Sequence, residues 1–317
     1  MNALPPPMAE WLDMLGSQRR YSAHTLAGYR RDLHLLCGTV GAQPLEQIAE
    51  GHVRQAVARL HAAGHHPRSL ARMLSAWRGF YAWWAPRAGL PINPVTGIRA
   101  PKAARALPKA LSVDQTQSLL DRSGLPPPAS AVEWRDQAMF EVLYSSGLRL
   151  AELVSLDTRP VRTATHESVS WVDLEGGEAV VRGKGGKTRS VPLGGKAIEA
   201  LRHWLRHRSQ FERMPPTGDD AAAALFLGTR GARISPRVVQ KQLAELAVRA
   251  GLPVHVHPHS LRHSFASHLL QSAQDLRAVQ ELLGHANIST TQIYTRLDFQ
   301  HLAQVYDKAH PRANRKS

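Results

Sequence analysis

One cysteine, Cys37, stands among 317 residues, so no internal disulfide can form and no cysteine-based zinc site is available. That usage fits a reducing cytoplasm. No apolar run approaches the roughly 18 residues that span a bilayer, which argues against a membrane helix. The opening MNALPPP lacks a basic patch followed by an apolar core, so it does not read as a secretory leader. No repeat with a period of 20–50 residues is present, which excludes solenoids and propellers. Acidic residues are in deficit, at 25 against 40 Lys plus Arg. They form no cluster of the kind a metal-dependent nuclease needs.

The deficit leaves a formal charge of +15 and a pI near 10.7. A surplus of that size favours a polyanionic partner, and nucleic acid before a membrane. Hydrophobic content of 43 % and charged content of 21 % are those of a globular chain. The length suits about two domains. The stretch from Pro91 to Pro108, PINPVTGIRAPKAARALP, reads as an extended basic linker able to lie along a phosphate backbone. The expected division is 1–106, including the linker from about 91, and 107–317.

The expected fold is mainly α. The first domain reads as four or five helices. Ser22 caps a helix with Leu26, Tyr29, Leu33, Leu36 and Cys37 on one face. Ser69 caps another with Leu70, Met73, Leu74, Trp77, Tyr81 and Trp84 as its stripe. A shorter helix spans about 53–60. In the second domain a helix from Trp134 to Tyr144 breaks at Ser145-Ser146-Gly147 and resumes from Leu150 to Leu156. Short strands are expected at 169–172, 179–182 and 189–192, as one small antiparallel sheet, with Gly183–Lys187 as the hairpin turn. Helices follow at about 196–208, 236–250, 261–270, 276–283, 290–294 and 299–306.

Five places in this second domain offer groups suited to a phosphate. Arg149 follows a glycine turn at a helix start, where guanidinium and backbone N–H groups can face an anion. Lys184 and Lys187 sit on the glycine-rich turn. His259 and Arg262 are three apart and share a helix face. His285 follows a helix-ending glycine, and Tyr294 lies nine residues beyond. Each alone has a bland reading: surface arginine, solvated loop, helix cap, core histidine, core tyrosine. His259 and His263 also have a zinc-like spacing, but no carboxylate or cysteine set accompanies them. The order Arg, Lys, His-x-x-Arg, His, Tyr is far less expected by chance.

With the segments YSAHTLAGYRRDL, GLRLAELVSL, RGKGGKTRSVPLG, HPHSLRHSFASHLL and LLGHANISTTQIYTRLDFQHLAQVYDKAHPRA, that order resembles the tyrosine recombinase (integrase) family over nearly the whole chain. Within the family it is similar to the Xer recombinases, and its last segment to one branch rather than to the sister XerD branch or a phage integrase. The resemblance implies a SAM-like helical DNA-binding domain and a catalytic domain. It implies Arg149 and Arg262 as the pair that grips the scissile phosphate, Lys184 as general acid and Tyr294 as nucleophile. His259 and His285 would be the two active-site histidines, and Glu152 a supporting acid. Lys187 is the alternative to Lys184. The stretch from Asp157 to Val172 is longer than the family pattern leads one to expect.

Those roles make physical sense. Charge builds on the nonbridging oxygens during phosphodiester exchange, and two guanidiniums can take it by bidentate hydrogen bonds, without metal or other cofactor. A phenol of ordinary pKa near 10 needs nearby cations and a base, for which His259 is suited. The implied partners are double-stranded DNA and a XerD-like recombinase, as a heterotetramer resolving chromosome dimers at a dif-like site, coupled to a septal DNA translocase. The C-terminal Phe299–Tyr306 and the tail His310–Ser317 would dock into a neighbour. The rivals are a solo or mobile-element integrase of the same chemistry and a type IB topoisomerase.

Overall fold

The computed structural model describes residues 3–41, 43–102, 110–122, 124–183, 188–212, 218–252, 256–272, 306 and 310–312. The chain forms two compact units, Met1–Leu107 and Pro108–Ser317. Among the described residues no helix is long and apolar enough to cross a membrane.

The first unit packs α1 (Pro6–Ser17), α2 (Ala23–Val40), α3 (Glu50–Ala62) and α4 (Pro67–Trp84). Pro6 starts α1, where a missing N–H costs nothing. Ser22 does cap α2, its Oγ accepting from Thr25 N at 3.1 Å. Ser69 does not cap α4. The cap is His66, whose ring accepts from Arg68 N at 3.2 Å, because Pro67 is preorganised for the first helical position. The α4 stripe is buried as its spacing predicts, with Ala76 and Phe80 added. Its polar tips find carbonyls: Trp77 Nε1 donates to Asp32 O at 2.7 Å and Tyr81 Oη to Leu45 O at 3.1 Å.

The expected linker is not extended over its first part. Val95 and Ile98 are buried in the first unit's core, and the Arg78 side chain donates to both of their carbonyls. Apolar side chains two turns beyond α4 gain more by covering its stripe than by lying in solvent.

The second unit is built on α6 (Ala131–Ser146), preceded by α5 (Val113–Leu120) and buried on nearly every side from Arg135 onward. After it come α7 (Leu150–Val154), β1 (Leu156–Asp157), β2 (Ser170–Asp173), β3 (Glu178–Arg182) and β4 (Thr188–Pro192). Leu156 is thus in a strand, not a helix. The β2-β3-β4 meander is antiparallel, with Val180 opposite Trp171 and Ser190, and β1 adds a parallel edge that makes the sheet mixed. The helices α8 (Gly195–His207), α9 (Asp219–Ala223), α10 (Pro236–Arg249) and α11 (Pro258–Ser272) complete the described part.

The long 157–172 stretch is a pinned excursion between β1 and β2. Asp157 accepts from Ser168 Oγ at 2.6 Å, His166 Nε2 at 2.8 Å and Arg233 Nη2 at 2.6 Å. These partners overcome its burial and hold its carboxyl below the usual range.

Candidate active site

The corner between α6 and α7 organises the site. Gly147 ends α6 in the left-handed region at φ 58°, and a Cβ there would lie 2.3 Å from the Phe265 ring of α11. Only glycine permits both the turn and the close approach. The next turn makes Arg149 the N-cap of α7. Its backbone N–H and its Nη1 both donate to Glu152, at 2.8 and 3.0 Å. The Arg149 side chain is 41 % exposed while that of Glu152 is 6 % exposed, so the acid is an internal anchor and the guanidinium faces outward.

Glu152 has a second cation that the motif order does not reveal. Arg189 of β4 grips it through both terminal nitrogens, at 2.9 and 3.0 Å. Burial works against ionisation of Glu152, and the hydrogen bonds and charge of Arg189, followed by those of Arg149, outweigh it and hold the carboxyl below its usual range. Strand alternation is the signal that finds Arg189: it shares a face with Val191, which is fully buried.

Helix α11 brings the other groups. His257, not His259, is its cap, accepting from Ser260 N at 3.1 Å on Nδ1. That leaves His259 exposed, its ring stacked on His257 at 6.2 Å. Arg262 is buried, and its Nη1 donates to Gly147 O. Burial, then the positive charge of Arg149, push the Arg262 pKa down to about 10, so it stays charged at neutral pH. Arg149, His259 and Arg262 line one cleft of about 420 Å³, with His257 and Gln240 of α10 at its wall. Arg237 and Lys241, also on α10, are exposed. The cleft therefore collects two guanidiniums and a histidine around a space able to hold an anionic group.

Lys184, Lys187, His285 and Tyr294 lie outside the described residues, as do the expected helices at 276–283 and 290–294. Of the C-terminal segment expected to dock elsewhere, Tyr306 and 310–312 are described; Tyr306, His310 and Arg312 are buried in their own unit and Pro311 is exposed. Tyr306 Oη lies 2.9 Å from Ser145 Oγ, which accepts from Gly194 N at 2.7 Å. Arg312 Nε donates to Glu141 Oε2 at 3.0 Å and its Nη2 to Asp121 at 2.9 Å. These described residues thus pack within their own unit, with Arg312 held by two acidic partners.

Known proteins agree with this architecture. Residues 109–301 match the Phage integrase family, and residues 8–87 match the Phage integrase, N-terminal SAM-like domain. Tyrosine recombinase XerC of Ralstonia pickettii is 51 % identical over 317 residues, covering 98 % of this chain and 95 % of that protein. Tyrosine recombinase XerC of Azotobacter vinelandii is 50 % identical over 314 residues, covering 96 % of each. The XerH site-specific recombinase, solved on a palindromic difH substrate, shares the fold at a TM-score of 0.63 and 23 % identity, over 95 % of this chain and 84 % of that one. Two matched domains and half-identical relatives along nearly the whole length leave one conclusion: the chain belongs to the phage integrase family and is a tyrosine site-specific recombinase.

Proposed function

We propose that this recombinase cuts and rejoins double-stranded DNA through a 3′-phosphotyrosyl intermediate on Tyr294. The Tyr294 oxygen attacks the scissile phosphorus and its proton passes to His259. The bond from phosphorus to the 5′ oxygen breaks, and that oxygen takes a proton from Lys184. Arg149 and Arg262 hold the nonbridging oxygens while charge builds on them, with His285 as the second histidine of the site. One ester bond forms as one breaks, so a 5′ hydroxyl from a second duplex can reverse the step without ATP. Glu152 supports the site by anchoring Arg149.

The observation that carries this reading is the meeting of Arg149, His259 and Arg262, from two separate segments of sequence, in one cleft. Arg182 pairs with Thr188 across β3 and β4, so both Lys184 and its alternative Lys187 fall in the short segment that joins these two strands. The +15 charge supports a duplex partner, whose phosphates would make binding weaken steeply with salt. The XerC names of the half-identical relatives support the finer assignment. It is a cytoplasmic enzyme acting with a XerD-like partner as a heterotetramer on a dif-like site, resolving chromosome dimers in concert with a septal DNA translocase.

A nicked suicide duplex carrying the site, incubated in EDTA, tests the chemistry. The wild-type protein, with its partner present, accumulates a covalent protein–DNA adduct, and Tyr294→Phe accumulates none. Absence of any wild-type adduct overturns the reading. Relaxation of supercoils without a paired site would point instead to a topoisomerase.

A further inference from the structure

Arg189 is the most committed cation near the cleft, and the reaction as outlined does not use it. Its side chain is 8 % exposed, and both of its terminal nitrogens are spent on Glu152. It therefore has little left for DNA. Its partner is the acid that anchors Arg149. Each Glu152 oxygen receives two hydrogen bonds, one from each arginine: Oε1 from Arg149 Nη1 and Arg189 Nη1, Oε2 from the Arg149 backbone N–H and Arg189 Nη2. The carboxylate is thus shared, and Arg189 holds it by the stronger, two-pronged contact.

We propose that Arg189 is a positioning residue that occupies Glu152 so that Arg149 is oriented by this carboxylate without being neutralised by it. This rests on the proposed role of Arg149 at the scissile phosphate. With Arg189 in place, the single negative charge of Glu152 is hydrogen-bonded to two guanidiniums and also acts on the nearby Arg262, so the group keeps a net positive charge beside the cleft. Without Arg189, a carboxylate that is nearly sequestered from water is hydrogen-bonded to Arg149 alone. Attraction in such surroundings is strong. It competes with the phosphate for the same guanidinium at the step where the phosphate gathers charge. The loss falls on the rate of cleavage more than on duplex binding, which many other cations support.

A double-mutant cycle tests this, with single-turnover adduct formation on the suicide duplex at saturating DNA and the dissociation constant measured separately. Arg189→Met should slow adduct formation about 10- to 100-fold, by analogy with the loss when a group that orients a metal ligand is removed. Its dissociation constant should move far less. In a Glu152→Gln background, where no carboxylate competes, Arg189→Met should change the rate by no more than about twofold, the ordinary error of additivity. Arg189→Lys, which keeps the charge but only a single prong, should be slowed less than Arg189→Met and lose its defect in the same background. It also carries the cycle if Arg189→Met fails to fold. An equal slowing in both backgrounds, or a defect confined to binding, overturns the proposal. A wild-type protein that forms no adduct at all overturns the phosphotyrosyl reading itself, whereas normal wild-type cleavage with an unimpaired Arg189→Met overturns this proposal alone.

Discussion

The two units treat buried charge in opposite ways. Among the described residues of the first unit, Asp32 is the single charged side chain that is buried, and it meets Arg72. The rest of that core is apolar and aromatic, with Trp11 stacked on Tyr29 and Phe80 on Trp84. The second unit buries Arg135 and Asp136, Glu141 and Arg312, Glu152 and Arg189, Asp157, Arg208 and Arg262. Buried ion pairs are poor sources of net stability compared with apolar packing. Their concentration in one unit marks where the molecule sacrifices stability to hold cations in fixed positions. The first unit, on this view, is a stable platform, and the second is a preorganised electrostatic site.

The largest expected effect strikes that site. Arg262→Ala should slow adduct formation about 100- to 1,000-fold at saturating DNA, the range for removal of one preorganised donor. A quenched time course on the suicide duplex checks this, and a rate within tenfold of wild type would break the contrast between the units. Next in size is the C-terminal anchor. Arg312→Ala leaves Glu141 fully buried without its main cation, at an expected cost of about 3–5 kcal/mol in denaturant unfolding. Replacing both by leucine should restore most of the loss, and failure to do so would mean that the pair contributes more than burial arithmetic allows.

A smaller effect depends on pH. Burial pushes the His310 pKa down to about 3, from an ordinary value of 6.5. The folded state thus keeps this ring neutral while the unfolded state takes up a proton. Its contribution to stability is complete above about pH 6.5 and is lost progressively as pH falls toward 3, with a slope of at most about 1.4 kcal/mol per unit. Thermal unfolding of His310→Gln between pH 7 and pH 4 should show a flatter dependence than wild type; parallel curves would contradict the assignment. The smallest effect lies in the apolar unit. Ser22→Ala removes the α2 cap and should cost about 1 kcal/mol, read as a lowered denaturation midpoint.

The same contrast explains what was legible in the sequence. Where a helix has one buried face, as α4 does, the spacing of Leu70, Met73, Leu74, Trp77, Tyr81 and Trp84 spells it out. Helix α6 is buried on almost all sides, so no stripe marks it, and the expected span 134–144 was short at both ends: Ser130 caps it, Ser145 and Ser146 lie within it, and Gly147 alone ends it. Proline chemistry was underrated twice: α1, which Pro6 opens, was not anticipated, and Pro67 moves the α4 cap from the expected Ser69 back to His66. In the cleft, Arg149, His259 and Arg262 follow from motif order, and Glu152 from the family resemblance. Arg189 escaped because a lone arginine in a five-residue strand is readily read as a surface residue, although its alternation with Val191 places it on the inner face. Val95 and Ile98 escaped for the converse reason: the prolines around them suggested solvent, while the uncovered end of the α4 stripe required a lid.

The central claim is that the cationic cleft of the second unit exists to drive DNA onto one phenol oxygen. Protease digestion of the trapped adduct, followed by mass spectrometry of the peptide still joined to DNA, tests it most directly. The expected peptide carries the phosphodiester on Tyr294. Attachment through any other residue would contradict the account.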